Sequence, residues 1–199
     1  MCVESVDSGA YIYRAGDPAQ AQYHLRSGMV KTYVINAEGD EYVTGFYLPG
    51  EIFGTVHMDG SYGESAVALE TTSVCELQDE AITELAQLGL APALLKHMAA
   101  NAGIDTVHQI NLKQTSAQAR FAGFCVNMAA RLERLGRSPL HLPTPMSRTD
   151  LASYLGMTLE SLSRVVSKLH TAGVVKANRD HIEVLQMETL NTLGLHANA

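Results

Sequence analysis

Between Val3 and about Leu77, short strand-like runs alternate with turn signals. The runs are AYIYR, AQYHLR, MVKTYVI, EYVTGFYL, EIFGTV and SAVALETTSVCEL. The turns fall at Ala15-Gly16-Asp17-Pro18, Ser27-Gly28, Glu38-Gly39-Asp40, Pro49-Gly50 and Asp59-Gly60. That spacing, roughly 8–12 residues, is typical of sandwiches and barrels and predicts a small all-β domain. From Asp79 the apolar period lengthens. DEAITELAQL reads as a short helix broken by Gly89 and Pro92, and APALLKHMAANAGIDTVHQINLKQTSAQ as a long one. Leu94 or Leu95, Met98, Ala102, Asp105, Gln109 and Leu112 lie near a three-four spacing along it. This is a sparse seam, because Asp105 and Gln109 sit on it. It fits either a helix packed on its own β-domain or the contact helix of a two-fold dimer, and the dimer is favoured. Two Asp105 carboxylates facing each other would weaken that dimer unless something offsets them. A further helix spans Ala117 to Leu135 with Phe121, Phe124, Cys125, Met128 and Leu132 on its apolar face; Cys125 reads as a small buried hydrophobe.

The most informative stretch is PMSRTDLASYLGMTLESLSRVVSKL, Pro145 to Leu169. Ser147 is an N-cap and Asp150 the carboxylate of a capping box. Leu151, Ala152 and Leu155 form an apolar stripe, and a turn follows at Gly156. Thr158 caps a second helix carrying Leu159, Leu162, Val165, Val166 and Leu169 at helical spacing. Small residues at 152 and 156, with Leu162 and Val165 aimed into the crossing, make a helix-turn-helix. After Gly173, VVKANRDHIEVL predicts two short strands around an Asn-Arg-Asp turn, the wing of a winged helix. RSPLHLPTP is a strand-like linker into this motif, and the residues from Met187 hold a short helix before a frayed tail. The polar face of the second helix carries Glu160, Ser161, Ser163, Arg164, Ser167 and Lys168. Arg can grip guanine O6 and N7 in two-pronged fashion, Glu can accept from cytosine N4, and Ser can serve either way. Read as a whole, the chain is α+β, with an N-terminal β-roll over 1–88, a long dimerisation helix over 89–116 and a winged helix-turn-helix over 117–199.

Composition modifies this picture in three ways. The net charge of -7 over 199 residues is unusual for a protein that binds DNA. The window from Met146 to Leu185, however, holds five cations against four anions, so the acid lies elsewhere. Weak non-specific affinity follows, with specificity resting on a few base contacts and on dimerisation. Cys2, Cys75 and Cys125 are odd in number and widely spaced, which suggests neither disulfides nor a CxxC metal site but reduced cytoplasmic thiols. No apolar run approaches the ~18 residues of a membrane span, and no charged-then-apolar leader opens the chain. The histidines at 24, 57, 97, 108, 141, 170, 181 and 196 are single, with no HxxxH pair on a helix. No carboxylate pair, nucleophile elbow or phosphate loop points to an enzyme. A β-roll adaptor whose winged helix binds protein is the alternative to DNA binding.

The order of β-roll, long helix and winged helix resembles the family of catabolite-activator and fumarate-nitrate-reduction regulators over nearly the whole chain. Glu160-Ser161-Leu162-Ser163-Arg164 is its most specific part; GDEYVTGFYLPGEIFG and ALETTSVCEL also resemble the fumarate-nitrate branch. The cyclic-AMP branch has Arg directly before the Glu, where this chain has Leu159. The resemblance implies a cyclic-nucleotide-binding-like fold for the β-roll and a homodimer on a palindrome whose half-site begins TTGA. It implies base reading by Glu160, Ser163 and Arg164, phosphate contacts from Ser147, Arg148, Thr158 and Ser161, and a dimer interface through Met98, Asp105, Gln109 and Leu112. RNA polymerase is the further partner that it implies. Two departures are informative. The cyclic-AMP branch holds its phosphate with Gly-Glu and a later Arg-Ser, whereas this chain has Gly50-Glu51 but Glu64-Ser65, with no Lys or Arg between Lys31 and Lys96. A bound phosphate needs a cation or clustered donors, so cyclic nucleotide is not expected. The oxygen-sensing branch holds an iron-sulfur cluster with three N-terminal cysteines and one in the β-domain. Cys75 matches that last ligand alone, so no metal or cofactor is expected unless cysteines precede this sequence.

Overall fold

The structure, a computed structural model, describes residues 3–78, 83–84, 87–114 and 116–194. It comprises two compact units, Met1–Gly103 and Ile104–Ala199.

The first unit is a jelly-roll-like sandwich. Its strands are β1 (Val3–Val6), β2 (Tyr11–Tyr13), β3 (Ala21–Ser27), β4 (Val30–Ile35), β5 (Glu41–Tyr47), β6 (Ile52–Phe53), β7 (Ser65–Ala68) and β8 (Thr72–Gln78). One sheet has the order β1-β8-β3-β6 and the other β2-β7-β4-β5, with antiparallel pairing. The period of two is visible in β3, where Ala21, Tyr23 and Leu25 turn inward. Leu25, Val30, Ala66, Ala68 and Val74 are fully enclosed. Beside them Tyr13 stacks on Tyr62 with ring centroids 3.9 Å apart, and Tyr23 and Phe53 extend the aromatic cluster. Burial pushes the Tyr13 and Tyr23 phenols well above their ordinary range.

Two runs read as single strands end differently. SAVALETTSVCEL is two strands, β7 and β8, which belong to opposite sheets. The bend at Leu69, Glu70 and Thr71 contains neither Gly nor Pro. It is closed by Thr72 Oγ1 donating to Glu70 O at 2.7 Å and by Leu69 N donating to Met29 O at 2.9 Å. EIFGTV pairs as a strand only at Ile52–Phe53, and beyond it Val56 forms a lone bridge with Tyr62.

Helix α1 (Ala91–Leu112) is shorter than the predicted long helix, which ran on to Gln118. Ser116 caps the next helix by accepting from Ala119 N at 3.3 Å, so Ala117 and Gln118 belong to α2 (Ala117–Arg134). The short helix predicted from Asp79 falls largely outside the described residues.

In the second unit, α2 is followed by β9 (His141–Pro143), α3 (Arg148–Tyr154), α4 (Leu159–Thr171), β10 (Val175–Ala177), β11 (His181–Val184) and α5 (Met187–Leu193). All five predicted apolar residues of α2 are buried, from Phe121 to Leu132. Burial raises the Cys125 thiol far above its ordinary range, which suits a packing role. The linker supplies a third wing strand, in the order β10-β11-β9. The tail from residue 195 lies outside the described residues.

The last turns of α1 belong to this unit. His108 stacks on Tyr154 with centroids 3.8 Å apart and planes 7° from parallel, and Asn111 Nδ2 donates to Arg120 O at 2.8 Å. Burial depresses His108 from 6.5 to about 4. The unfolded chain therefore takes up a proton near pH 6.5 that the folded chain refuses until about pH 4. Stability from this source is complete above pH 6.5 and is lost as the pH falls through that interval. His108→Phe, which keeps a stacked ring without a titrating nitrogen, is expected to flatten the fall in melting temperature between pH 7 and pH 5. Melting curves of the two proteins across that range provide the check.

Candidate nucleic-acid interface

Local hydrogen bonding builds the two-helix motif. Ser147 Oγ accepts from Asp150 N at 2.9 Å while Asp150 Oδ2 accepts from Ser147 N at 3.2 Å, completing the capping box. Thr158 Oγ1 accepts from Ser161 N at 3.1 Å and opens α4. Between the helices Gly156 takes φ +59, and a Cβ there would lie 3.3 Å from Leu112 Cδ2. Leu151, Ala152, Leu155, Leu162, Val165 and Leu169 are buried in the crossing. Leu159 is not: it is 46% exposed, because the first turn of α4 projects past the crossing before the stripe reaches cover.

That projection exposes the polar face. Glu160, Ser163 and Arg164 are all exposed near the N-terminal end of α4. Arg164 Nη2 donates to Glu160 Oε1 at 2.6 Å, a helical i,i+4 pair. Ser163 Oγ donates to Leu159 O at 2.9 Å, which leaves its lone pairs to accept. The residues read as phosphate contacts are engaged differently from one another. The Ser147 and Thr158 hydroxyls act in caps, and Thr158 Oγ1 also donates to Ser161 Oγ at 2.9 Å. Arg148 reaches across to the wing, where its Nη2 donates to Asn178 O at 3.3 Å. The wing turn is ordered in turn by His181, whose Nδ1 meets Asp180 Oδ1 at 2.8 Å and whose Nε2 meets Asn178 Nδ2 at 2.7 Å. The imidazole holds the Asp180 carboxyl below its ordinary range.

Of the residues read as a dimer seam, Asp105 and Gln109 are exposed on α1. Leu112 is 37% exposed and leans on the Gly156 corner as well. The side chain of Met98, like those of Leu94 and Ala102, lies outside the described residues.

A β-sandwich followed by a long helix and a winged helix-turn-helix has close counterparts among known proteins. Residues 3–88 match the cyclic nucleotide-binding domain and residues 119–193 the Crp-like helix-turn-helix domain. The chain is 36% identical to the transcriptional activator protein anr of Pseudomonas aeruginosa, over 94% of this chain and 78% of that one. It is 30% identical to the fumarate and nitrate reduction regulatory protein of Escherichia coli, over 96% and 78%. FixK2 from Bradyrhizobium japonicum superposes with a TM-score of 0.84 at 28% identity, covering 98% of this chain and 97% of that one. The chain belongs to the Crp/Fnr family of transcription regulators.

Within the β-roll of this Crp/Fnr protein one acidic side chain is buried. Thr44 Oγ1 donates to Glu64 Oε2, and the Thr32 and Thr44 hydroxyls lie 2.8 Å apart. Glu64 is 8% exposed. A buried acid of this kind offers a phosphate no positive charge. Nor do the described thiols form a cluster set. Cys75 lies in β8 opposite His24 and Cys125 in α2, both buried, while Cys2 lies outside the described residues. Among the described residues no three His, Cys, Asp or Glu side chains gather as metal ligands. These residues do not fit a four-thiolate cluster. Among them, too, no helix is long and apolar enough to cross a membrane. The relatives are transcription regulators rather than enzymes.

Proposed function

We propose that this regulator binds as a homodimer to a TTGA-containing palindrome, with α4 of each subunit in the major groove. The observation that carries the proposal is the exposure of Glu160, Ser163 and Arg164 together on the leading end of α4, with the cap residues behind them. Glu160, Ser163 and Arg164 read bases; Ser147, Arg148, Thr158 and Ser161 lie toward the backbone. The dimer forms along α1, through Met98, Asp105, Gln109 and Leu112. Two-fold pairing presents two recognition helices about 34 Å apart, one turn of DNA. Relatives carry the name activator, and an activating role through contact with RNA polymerase in the cytoplasm follows from that likeness. The β-roll holds no cyclic nucleotide, and Cys75 packs as a buried core residue of β8.

Fluorescence anisotropy with a labelled TTGA palindrome, over a series of salt concentrations, tests this reading. The expected result is saturable binding that weakens steeply with salt, at a stoichiometry of two chains per duplex. Absence of any salt-sensitive binding would leave the protein-binding adaptor as the better account.

A further inference from the structure

Helix α1 runs unbroken from Ala91 to Leu112, yet it belongs to both compact units: the first ends at Gly103 and the second begins at Ile104. Packing does not explain Gly103. Among the described residues, every other glycine either takes a positive φ or leaves room for a neighbour that a Cβ would meet. Gly103 does neither: it is helical and exposed, and nothing lies within 4 Å of an added Cβ. Inside a helix, glycine shifts the balance toward the open chain by on the order of fivefold relative to alanine. Alanine would fit at 103, so what glycine supplies there is ease of bending rather than space. Beyond this point the helix is fixed to the DNA-binding unit. Ile104, Val107, His108 and Asn111 recur at helical spacing and are buried or half-buried, while the positions between them are exposed. His108 is stacked on Tyr154 of α3, and Asn111 donates to Arg120 O of α2. The Asn111 side chain sits in a notch at Gly123 of α2, where an added Cβ would lie 2.9 Å from its Cγ. Because α4 is tied to α3 through their buried crossing, the last turns of α1 carry the recognition helix.

Building on the DNA-binding reading above, we propose that α1 is a jointed helix, hinged at Gly103, through which the β-roll controls the placement of α4. Opening the joint breaks the backbone bonds that straddle it, from the amides of 104–107 to the carbonyls of 100–103, and leaves the turns at 108–112 closed on α2 and α3. Two recognition helices seated one DNA turn apart tolerate only one setting of each joint. The continuous helix is that setting. DNA therefore holds the joint closed, and by linkage whatever closes the joint favours DNA by the same factor. An event in the β-roll that bends α1 at Gly103 withdraws both recognition helices without touching either.

The test is amide hydrogen exchange on the full chain, resolved to single residues, with and without a TTGA palindrome. In the free wild type the amides of 104–107 are expected to exchange faster than those of 108–112, the reverse of fraying from the helix end. Gly103→Ala is expected to slow 104–107 by about fivefold and to leave 108–112 unchanged. Gly123→Ala, which drives a Cβ into Asn111, is expected to speed 108–112 instead; Asn111→Ala, which removes the bond to Arg120 O without a clash, does the same to a smaller degree. Bound palindrome is expected to protect 104–107 in the wild type. Gly103→Ala is expected to bind it up to about fivefold more tightly at an unchanged salt slope, since no charge is altered. Exchange at 104–107 no faster than at 108–112, or unaffected by Gly103→Ala, overturns the joint. A joint that DNA does not protect, together with wild-type affinity in Gly103→Ala, overturns its coupling to α4 while DNA binding stands. A wild type without salt-sensitive binding overturns the DNA-binding reading and that coupling, and the exchange pattern of the free chain still decides the joint.

Discussion

Arg164→Ala is expected to weaken binding to a TTGA palindrome by about 1–3 kcal/mol per half-site and to relax selectivity at a single base pair. The free protein already holds the guanidinium out from the helix, paired with Glu160 at 2.6 Å. Both side chains are more than 70% exposed, at 78% and 74%. Such a surface pair contributes only about 0.3–0.5 kcal/mol, so releasing Arg164 toward a base costs little against what a two-pronged guanine contact returns. The measurement is a set of binding isotherms at fixed salt, with each base pair of one half-site varied in turn. In the variant, the penalty for the wrong base is expected to disappear at one position and persist at the others. Because Arg164 touches no buried group, its melting temperature is expected to stay within about 0.5 kcal/mol equivalent of wild type. Unchanged affinity and unchanged base selectivity would remove Arg164 from the recognition surface.

Gly28→Ala is expected to destabilise the β-roll by about 3 kcal/mol or more. Gly28 turns the chain between β3 and β4 at φ +85, a conformation that costs a residue with a Cβ about 1–2 kcal/mol. A Cβ there would also lie 2.9 Å from both Thr71 O and Thr72 Cα, and against the Thr72 hydroxyl. These are mainly backbone atoms of the bend that carries the chain from β7 to β8, so relief requires two corners of the sandwich to separate. Gly9→Ala is the matched control: its φ is +81, but nothing lies within 4 Å of the added carbon. It bears the conformational cost alone. Calorimetry on the two variants is expected to place the Gly28→Ala transition about 10 °C or more below wild type, and Gly9→Ala far nearer to it. Equal shifts would show that the contact between the two corners contributes little.

Much of the interface was legible because its signals are local. A capping box needs only Ser147 and Asp150, three residues apart. An N-cap needs only Thr158, and an apolar stripe needs only the helical period. Each is satisfied by hydrogen bonds or packing within one or two turns, so the order of residues suffices to reveal it. The jelly-roll was legible for a similar reason, since its turns carry Gly, Pro and Asp. The bend between Ala68 and Thr72 was not. ALETTS has no turn residue, and the chain changes sheet there because Thr72 closes on Glu70 and packs over Gly28. The end of α1 was missed because nothing between Lys113 and Ser116 breaks a helix by propensity; the cap at Ser116 decided it. Leu159 has the right period for the core but stands one turn before the crossing begins.

The order of residues by itself determined that this chain has a β-roll, a long helix and a winged helix-turn-helix, and which face of α4 is polar. Only the tertiary structure decided that Arg148 spans to a carbonyl of the wing. It likewise decided that His108 is held neutral against Tyr154 and that Thr144 lines a groove with Arg179. These are contacts between residues 30 or more positions apart, created when separate elements bury their apolar faces against one another. No period or local motif records such meetings, because their geometry belongs to the packed core rather than to any one segment.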